Sequence, residues 1–509
     1  MNKKLYYTAV ILFFTAVIHA QTIVSVDTVK GIWSAGSSPY IITQTVTVPA
    51  DTSLVIQPGT EIYLAGNFRF KVEGRLIARG KEKEKIVFAF ADSSIINKVK
   101  SLCDSNAPKI AGWGGIRFSD HRTGKDTSIL EFCSINGVKA LTGNSSECSG
   151  GAISIIGKGM IIIKKCMIFN NQAHTGAAIY CENNNPIIEG NVIERNKSIS
   201  NGGAFFIYNS RPVIRNNLVR LNISDEFGGG FYFQNSGSYF TNNTVAENSA
   251  RFGGAASMVN SNIRMVNNTV ANNYASENGG GLHCIESSPY IKNTILWGNS
   301  TKVKGKQLYL YELGYPEITY SSIQDGLNGI EEFSDSLNQV EYVKNLDENP
   351  EFIINDTAYL ALGENSYCID AGSNKDPLIS EMSDMTGRPR IINDVIDMGA
   401  QEFQKGIKPG KPKTEEDVKK QNDDPVLNVF IYPNPNQGKF EIKLTGDCSA
   451  VSLVGILNAN GQLIHSENLR IDGNGRTQLI EMDISRGFYF LELKNQKGEV
   501  IEREKLIIE

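Results

Sequence analysis

At 509 residues the chain is too long for one ordinary globular domain, and a prior of ~150 residues per domain suggests about three. Its 41% hydrophobic and 21% charged residues exclude disorder throughout, and a net charge of -5 excludes the basic face that nucleic-acid binding requires. The 48 glycines, about 9% against an average near 7%, are too few for collagen or a low-complexity chain, so they must be concentrated somewhere.

Lys3 and Lys4 precede an apolar run, Thr8 to Ile18, and then His19-Ala20 before Gln21. A basic start, about a dozen apolar residues and a small residue at the end predict a secretory leader over 1–20, cut between Ala20 and Gln21. The run falls short of the ~20 residues that span hydrocarbon, and no later stretch is long enough, so no transmembrane segment is expected. Export puts the eight cysteines where disulfides are allowed. Without a Cys-x-x-Cys pair, neither a zinc site nor a thioredoxin-like motif is expected, and no cofactor or metal is called for.

From Ile32 to Phe118 the chain reads as short strands: TVTV, LVIQPGTEIYL, FKVEGRLIARG, KIVFAF and WGGIRF. Beyond them six segments start alike: GGAIS at Gly150, GAAIY at Gly176, GGAFF at Gly202, GGGFY at Gly228, GGAAS at Gly253 and GGGLH at Gly279, with a weaker GKQLY at Gly305. The steps are 26, 26, 26, 25, 26 and 26 residues. Inside each unit Ile168, Ile193, Val219, Val245, Val270 and Ile295 form an apolar column. Three residues later Asn171, Asn196, Asn222, Asn248 and Asn273 form a polar one, with Asn299 displaced by one.

A helical repeat needs a 3.6-residue apolar stripe, whereas these units show short alternating runs rich in Val, Ile, Tyr and Phe, and the leucine-rich consensus is missing. What remains is a coil of about three short strands per turn, a parallel β-helix. Val and Ile ladders would fill its bore. Asn would tolerate left-handed corners and bond the turns above and below. The glycine pairs would supply positive φ where a β-carbon would obstruct. The Asn-x-Ser sites at Asn196 and Asn222 then read as corner ladders rather than glycan acceptors. The strands upstream become the first turns and their cap, since a solenoid needs atypical ends.

The phrase SSPYIITQTVTVPADTSLVIQPGTEIYL, with GRLIARG and WGGIRF, resembles the opening of secreted right-handed β-helix proteins of bacteria. YLALGENSYCIDAGSN, then MTGRPRIINDVIDMGAQEF, resembles the closing region of β-helix proteins carrying a choice-of-anchor Q type domain. The predicted coil therefore spans 21–403.

After Phe403 a stretch rich in Lys, Glu, Asp and Pro is expected to be a solvated linker over 404–425. Residues 426–509 regain strand character (LNVFIY, KFEIKL, VSLVGILN, GQLIHSE, GFYFLELK, EVIEREKLIIE), and about seven short strands with turn signals predict a small β-sandwich. Tyr432-Pro433-Asn434-Pro435, Gly438, Phe440, Gly461 and ISRGFYFLEL resemble the type A C-terminal sorting domain of the type IX (Por) secretion system of Bacteroidetes. That resemblance implies the secretion machinery as partner, export across the outer membrane, removal of the tail, and release or attachment at the cell surface.

Some β-helix proteins are polysaccharide lyases or hydrolases, which need clustered carboxylates on adjacent turns. Between 145 and 300 the only aspartate is Asp225, beside Glu226. His121, His174 and His283 lack a nucleophile or second ligand at useful spacing. No catalytic residue is therefore assigned.

The outward face of the first strand offers more. If Ile179, Phe205, Phe231 and Leu282 point inward, alternation sends Tyr180, Phe206, Tyr232, Ser257, His283 and Tyr309 outward in one row. Glu182, Tyr208, Gln234, Val259, Ile285 and Tyr311 lie two residues on. Two accounts fit this row. One is an exposed aromatic strip that stacks on extracellular polysaccharide; the other is that aromatics merely favour stacked strands or lie under a loop. Cys133 with Cys166, on adjacent turns, and Cys103 with Cys148, in insertions, are candidate disulfides that could equally be reduced; Cys181 and Cys284 read as buried thiols. The sequence thus predicts a secreted or surface-attached, non-catalytic glycan-binding, adhesive or structural coil, with a polysaccharide lyase or hydrolase as the alternative.

Overall fold

Strands of two to five residues are all that the spacing of glycine and asparagine leaves room for, because a residue that bends the chain recurs at each strand end. In the computed structural model, which describes residues 21–102, 112–119, 127–141, 150–333, 340–355, 358–376, 383–404, 428–432, 438–445, 451–458, 462–469 and 476–508, these strands stack in parallel. They form twelve-stranded sheet I, from Thr22–Val24 to Ser322–Ile323, and eleven-stranded sheet II, from Val46–Val48 to Ile330–Glu332. Twelve-stranded sheet III runs from Gly31–Trp33 to Glu341–Val343, and sheet IV holds seven two-residue strands from Lys139–Ala140 to Ser300–Thr301. Each repeat visits II, III, I and IV in turn before a loop returns it to the next Gly pair.

The bore is filled by ladders of like side chains. From sheet II the inward column is Ile153, Ile179, Phe205, Phe231, Ala256, Leu282 and Leu308, all in one buried cluster. Phe205 and Phe231 stack with centroids 4.4 Å apart. From sheet I the column is Ile168, Ile193, Val219, Val245, Val270 and Leu296. This corrects the assignment of Ile295, which pairs with Thr269 and faces outward. With Leu296 in place, Asn299 is in step, and the apparent displacement disappears.

The asparagine column is a hydrogen-bonded ladder. Asn196 Oδ1 accepts the Asn171 backbone N–H (3.2 Å) and Nδ2 (2.9 Å), and Asn222 and Asn248 repeat the pattern with the turns before them. The left-handed residue, however, is the one before each ladder asparagine: Asn170, Arg195, Leu221, Glu247 and Asn272 have φ of 54° to 57°. A second ladder, Asn191, Asn217, Asn243 and Asn268, bridges the corner between sheets III and I. A third, Ser210, Ser236, Ser261 and Ser287, bridges II and III.

Asn196 and Asn222 are fully buried, so neither is open to a glycan. Replacing Asn222 by Ala strips partners from the Asn196 N–H and Nδ2 and from the Ile193 carbonyl. At roughly 1–3 kcal/mol for each buried group left unpaired, it should lower stability by about 3 kcal/mol, read as an earlier urea midpoint; an unchanged midpoint refutes the ladder's weight.

Glycine placement follows from close approach of turns. Gly202, Gly228, Gly253 and Gly279 have φ between 67° and 72°, and a β-carbon on the following Gly254 would lie 2.3 Å from the Gly280 carbonyl oxygen.

Two pieces cover the outside of sheet I. At the start, the helix Ser93–Val99, capped by Asp92 Oδ1 on the Ile95 N–H at 2.9 Å, lies over Ile41 and Ala65. At the end, the described residues between 346 and 403 form a strap. Leu362, Cys368, Ile369 and Met398 cover Ile295, Leu360 covers Ala246 and Ala271, and Ile396 covers Val266. Polar stitches join them: Lys292 Nζ donates to the Lys375 carbonyl (2.7 Å), Ala400 N–H to Thr269 Oγ1 (3.0 Å), and Arg264 pairs with Asp376.

Within the strap Arg390 is buried with Asp384, Asp397 and Glu402. Glu402 accepts the Ile392 and Asp397 N–H groups and Asp397 those of Asp370 and Phe403. Burial pushes the Asp397 carboxyl up to about 6 and that of Glu402 to about 8.

In the second unit, Pro409–Glu509, every pairing among the described strands is antiparallel. A sheet of Asn428–Tyr432, Lys439–Thr445 and Arg476–Glu481 and one of Leu453–Asn458, Leu463–Asn468, Gly487–Lys494 and Val500–Ile508 enclose Phe440, Ile442, Val454, Ile456, Leu491 and Leu506. Gly438 lies at φ 84°, where a β-carbon would meet the Met482 carbonyl at 2.2 Å. Tyr432 ends the first strand. Pro433, Asn434 and Pro435 lie outside the described residues, as do the leader with its Ala20 cut and the segment 405–427.

Candidate functional site

Alternation in sheet II sets Tyr180, Phe206, Tyr232, Ser257, His283 and Tyr309 in register on one outward row. Glu182, Tyr208, Gln234, Val259, Ile285 and Tyr311 form the row beside it. The rows are therefore where alternation puts them, but the first is not exposed. Tyr180 and Tyr232 are 8% and 7% accessible, and His283 and Tyr309 3% each; only Phe206 is half-buried.

The reason is the ~4.8 Å spacing of turns, which packs ring on ring. Tyr180 stacks on Phe206 (5.1 Å, 12°) and His283 on Tyr309 (5.6 Å, 8°), while Phe206 and Tyr232 meet at a tilt (5.1 Å, 34°). Ring faces are thus spent on each other, and edges meet solvent. Where Ser257 interrupts the row, Phe227 and Phe252 fill the notch, stacked on each other at 4.9 Å and lying 6.0 and 5.4 Å from His283. Sequence inspection missed these two rings because they sit in loops, yet each immediately precedes a turn-starting glycine, Gly228 or Gly253, and that shared position was the available signal.

Burial holds the His283 imidazole down to about 4 and the Tyr232 and Tyr309 hydroxyls above their usual value. His283 is therefore neutral, with Nδ1 3.3 Å from Ser257 Oγ. This serine is wholly buried, so the pair braces the row and is closed to a substrate. In the second row Glu182, Tyr208, Gln234 and Tyr311 are half-buried. Glu182 Oε2 accepts the Tyr180 hydroxyl at 2.7 Å, and Tyr311 packs at 4.7 Å from Phe333.

Four other carboxylates on the coil are paired with cations. Glu189 meets Arg215 (3.1 Å), Glu194 meets Arg220 (2.8 Å), Asp225 meets Lys197 (3.4 Å) and Glu226 meets Arg251 (3.4 Å). These are ladders joining one turn to the next, with charges matched across neighbouring strands. Among the described residues no three His, Cys, Asp or Glu side chains are grouped to hold a metal ion. His121 lies outside the described residues.

Cys133 and Cys166 lie on adjacent turns as two buried free thiols, the reduced one of the two states left open for this pair. The Cys133 N–H donates to Cys166 Sγ (3.4 Å), and the Cys166 thiol to the Leu130 carbonyl (3.4 Å). Burial raises Cys133 well above the usual thiol value and pushes Cys181 and Cys284 to about 12, which keeps all three protonated. Cys103 and Cys148 fall outside the described residues.

The antiparallel sandwich around Phe440, with its strand pattern and Gly438 turn, decides the C-terminal unit. Residues 430–509 match the secretion system C-terminal sorting domain. The sorting domain directs the chain through the type IX secretion system, whose machinery recognises it, to the cell surface or the extracellular space. Residues 109–296, upstream of the sorting domain, match the right-handed beta helix region, which gives the hand of the parallel coil. No curated protein matches the chain. No helix among the described residues is long and apolar enough to cross a membrane.

Proposed function

We propose that the coil is a non-catalytic adhesive or glycan-binding scaffold at the cell surface or outside it, and that it meets extracellular polysaccharide with the outward side of sheet II. The leader over 1–20, the linker over 404–425 and removal of the sorting domain belong to the same reading. The observation that supports it is asymmetric cover. The strap's apolar contacts fall on residues of sheets I and III, and the helix Ser93–Val99 lies on sheet I. Sheet II keeps a half-buried band of Phe206, Tyr208, Gln234 and Tyr311. Stacked rings brace that band rather than offering faces to sugars, so contact runs through ring edges, hydroxyls and amides.

The test is a glycan array probed with the mature protein and with a Phe206→Ala/Tyr208→Ala variant. The expected result is binding to extracellular polysaccharide that falls at least fivefold in the variant. Equal binding by both, or none by either, defeats the proposal.

A further inference from the structure

The corner that follows sheet II carries a repeated polar array that the strand rows do not explain. Asn183, Asn209, Asn235 and Asn260 occupy equivalent positions on four successive turns, all exposed and all left-handed, with φ of 47° to 53°. Each follows directly on Glu182, Tyr208, Gln234 and Val259 of the half-buried row. Asn209 donates to Asn183 Oδ1.

Left-handed backbone alone does not demand this composition. The same column holds Gly157 below, and Glu286 and Glu312 above. Other corners place Lys165, Arg195, Leu221 and Glu247 at equivalent φ. The asparagines between sheets III and I that resemble them, Asn242, Asn267 and Asn293, are buried beside the strap, Asn242 donating to the Ser383 carbonyl and Asn293 to that of Ser373. The four beside sheet II face solvent.

We propose that this corner binds a neutral polysaccharide chain running along the coil axis, about one sugar unit per turn. The inference rests on the reading that the coil binds glycan, and names the class and the site. Each turn offers one amide with both a donor and an acceptor, which matches sugar hydroxyls that do both. The amides repeat at the ~4.8 Å spacing of stacked strands, commensurate with an extended chain of linked pyranose rings. Charge around the array is sparse: Glu182 is engaged by Tyr180, the exposed Glu286 follows Asn260 on the next turn, and Arg211 is the one cation in the adjoining loop positions from 183 to 185, 209 to 211, 235 to 237 and 260 to 262. An anionic chain would need a cation on every turn. The Tyr208 hydroxyl and the Gln234 amide extend the array toward the strand row.

The test uses the full mature chain and calorimetric titration with cellohexaose, mannohexaose and hexagalacturonate. A neutral hexasaccharide should bind, with affinity rising from the disaccharide to the tetrasaccharide as successive turns are engaged. Asn235→Gly/Asn260→Gly, which keeps the left-handed backbone but deletes the amides, should weaken it at least tenfold. Asn170→Gly, exposed and left-handed at another corner, should bind normally, and all variants should melt within a few degrees of the parent. Neutral binding that survives the double substitution overturns this site while leaving glycan binding intact. Binding of hexagalacturonate alone overturns the neutral class. No binding to any of the three overturns both this inference and the reading beneath it.

Discussion

Gly254→Val abolishes folding of the coil, whereas Gly237→Ala leaves it as stable as before or slightly more so. A β-carbon at Gly254 would fall 2.3 Å from the Gly280 carbonyl oxygen and 2.6 Å from the Tyr274 nitrogen. The first atom is backbone of the next turn and the second backbone at the end of the same turn, and neither can rotate away. Relief requires separating two turns, which breaks the Gly254 N–H bond to the Gly279 carbonyl (3.0 Å) and its neighbours from Gly253 to Ala256. Overpacking plus lost ladder bonds exceeds ~4 kcal/mol. In a solenoid, where each turn is stabilised by the turns beside it, a break in the middle uncouples both halves.

Gly237 has only the Asn262 carbonyl near it, at 3.6 Å, and an ordinary φ, so alanine there costs nothing sterically and gains about 0.4–1 kcal/mol by restricting the unfolded chain. Circular dichroism and urea titration of the two variants check the pair. A soluble, cooperative Gly254→Val protein would mean that the turns can spread to admit a side chain between them.

This contrast also shows what the sequence makes legible and why. Where one residue type fits best, the repeat prints it in most turns: glycine where turns touch, with Ala177 and Lys306 as exceptions in the column of Gly254, and asparagine where one side chain must both accept from the backbone below and donate to a carbonyl. The coil, its register and the sorting sandwich could therefore be read directly. Ile295 was misplaced because Ile295 and Leu296 are both apolar, and only the pairing of Leu296 with Val270 tells inward from outward.

The burial of Tyr180, Tyr232 and Tyr309 escaped for a different reason. Alternation gives the direction of a side chain but not its accessibility, and at the spacing of stacked turns rings shield one another. The Ser210–Ser287 ladder was hidden because serine and asparagine do the same bonding with different letters. The position of the strap was illegible for want of a repeat: its contacts, such as Ala400 to Thr269, join residues 131 apart with no periodic signal.

That strap is where pH should act, and it should loosen as pH rises. Three carboxyls, Asp384, Asp397 and Glu402, surround the single buried guanidinium of Arg390, so full ionisation would leave excess negative charge away from water. Burial accordingly raises Asp397 to about 6 and Glu402 to about 8, against roughly 3.9 and 4.3 in an unfolded chain. The hydrogen bonds these groups accept from Asp370, Phe403, Ile392 and Asp397 N–H pull the other way and limit the rise.

A raised acid means that the docked strap holds more protons than the undocked one between the two values. Its stability is then fullest below about pH 4, declines through the window from about 4 to about 8, and levels off above it. The change is on the order of a few kcal/mol. Salt-bridged carboxylates elsewhere, such as Glu194 with Arg220, make global melting a poor probe, so the measurement is hydrogen exchange of 383–403 corrected for intrinsic rate at pH 5, 7 and 9. Protection should fall with pH in the parent and fall less in Glu402→Gln, where position 402 stays neutral and the decline from Asp397 alone is over by about pH 7. It should drop further at pH 7 in Arg390→Met, where the carboxyls lose their cation. Protection that stays flat from pH 5 to 9 in the parent would show that Asp397 and Glu402 are already ionised in the folded chain at pH 5 and that Arg390 with the backbone donors outweighs burial.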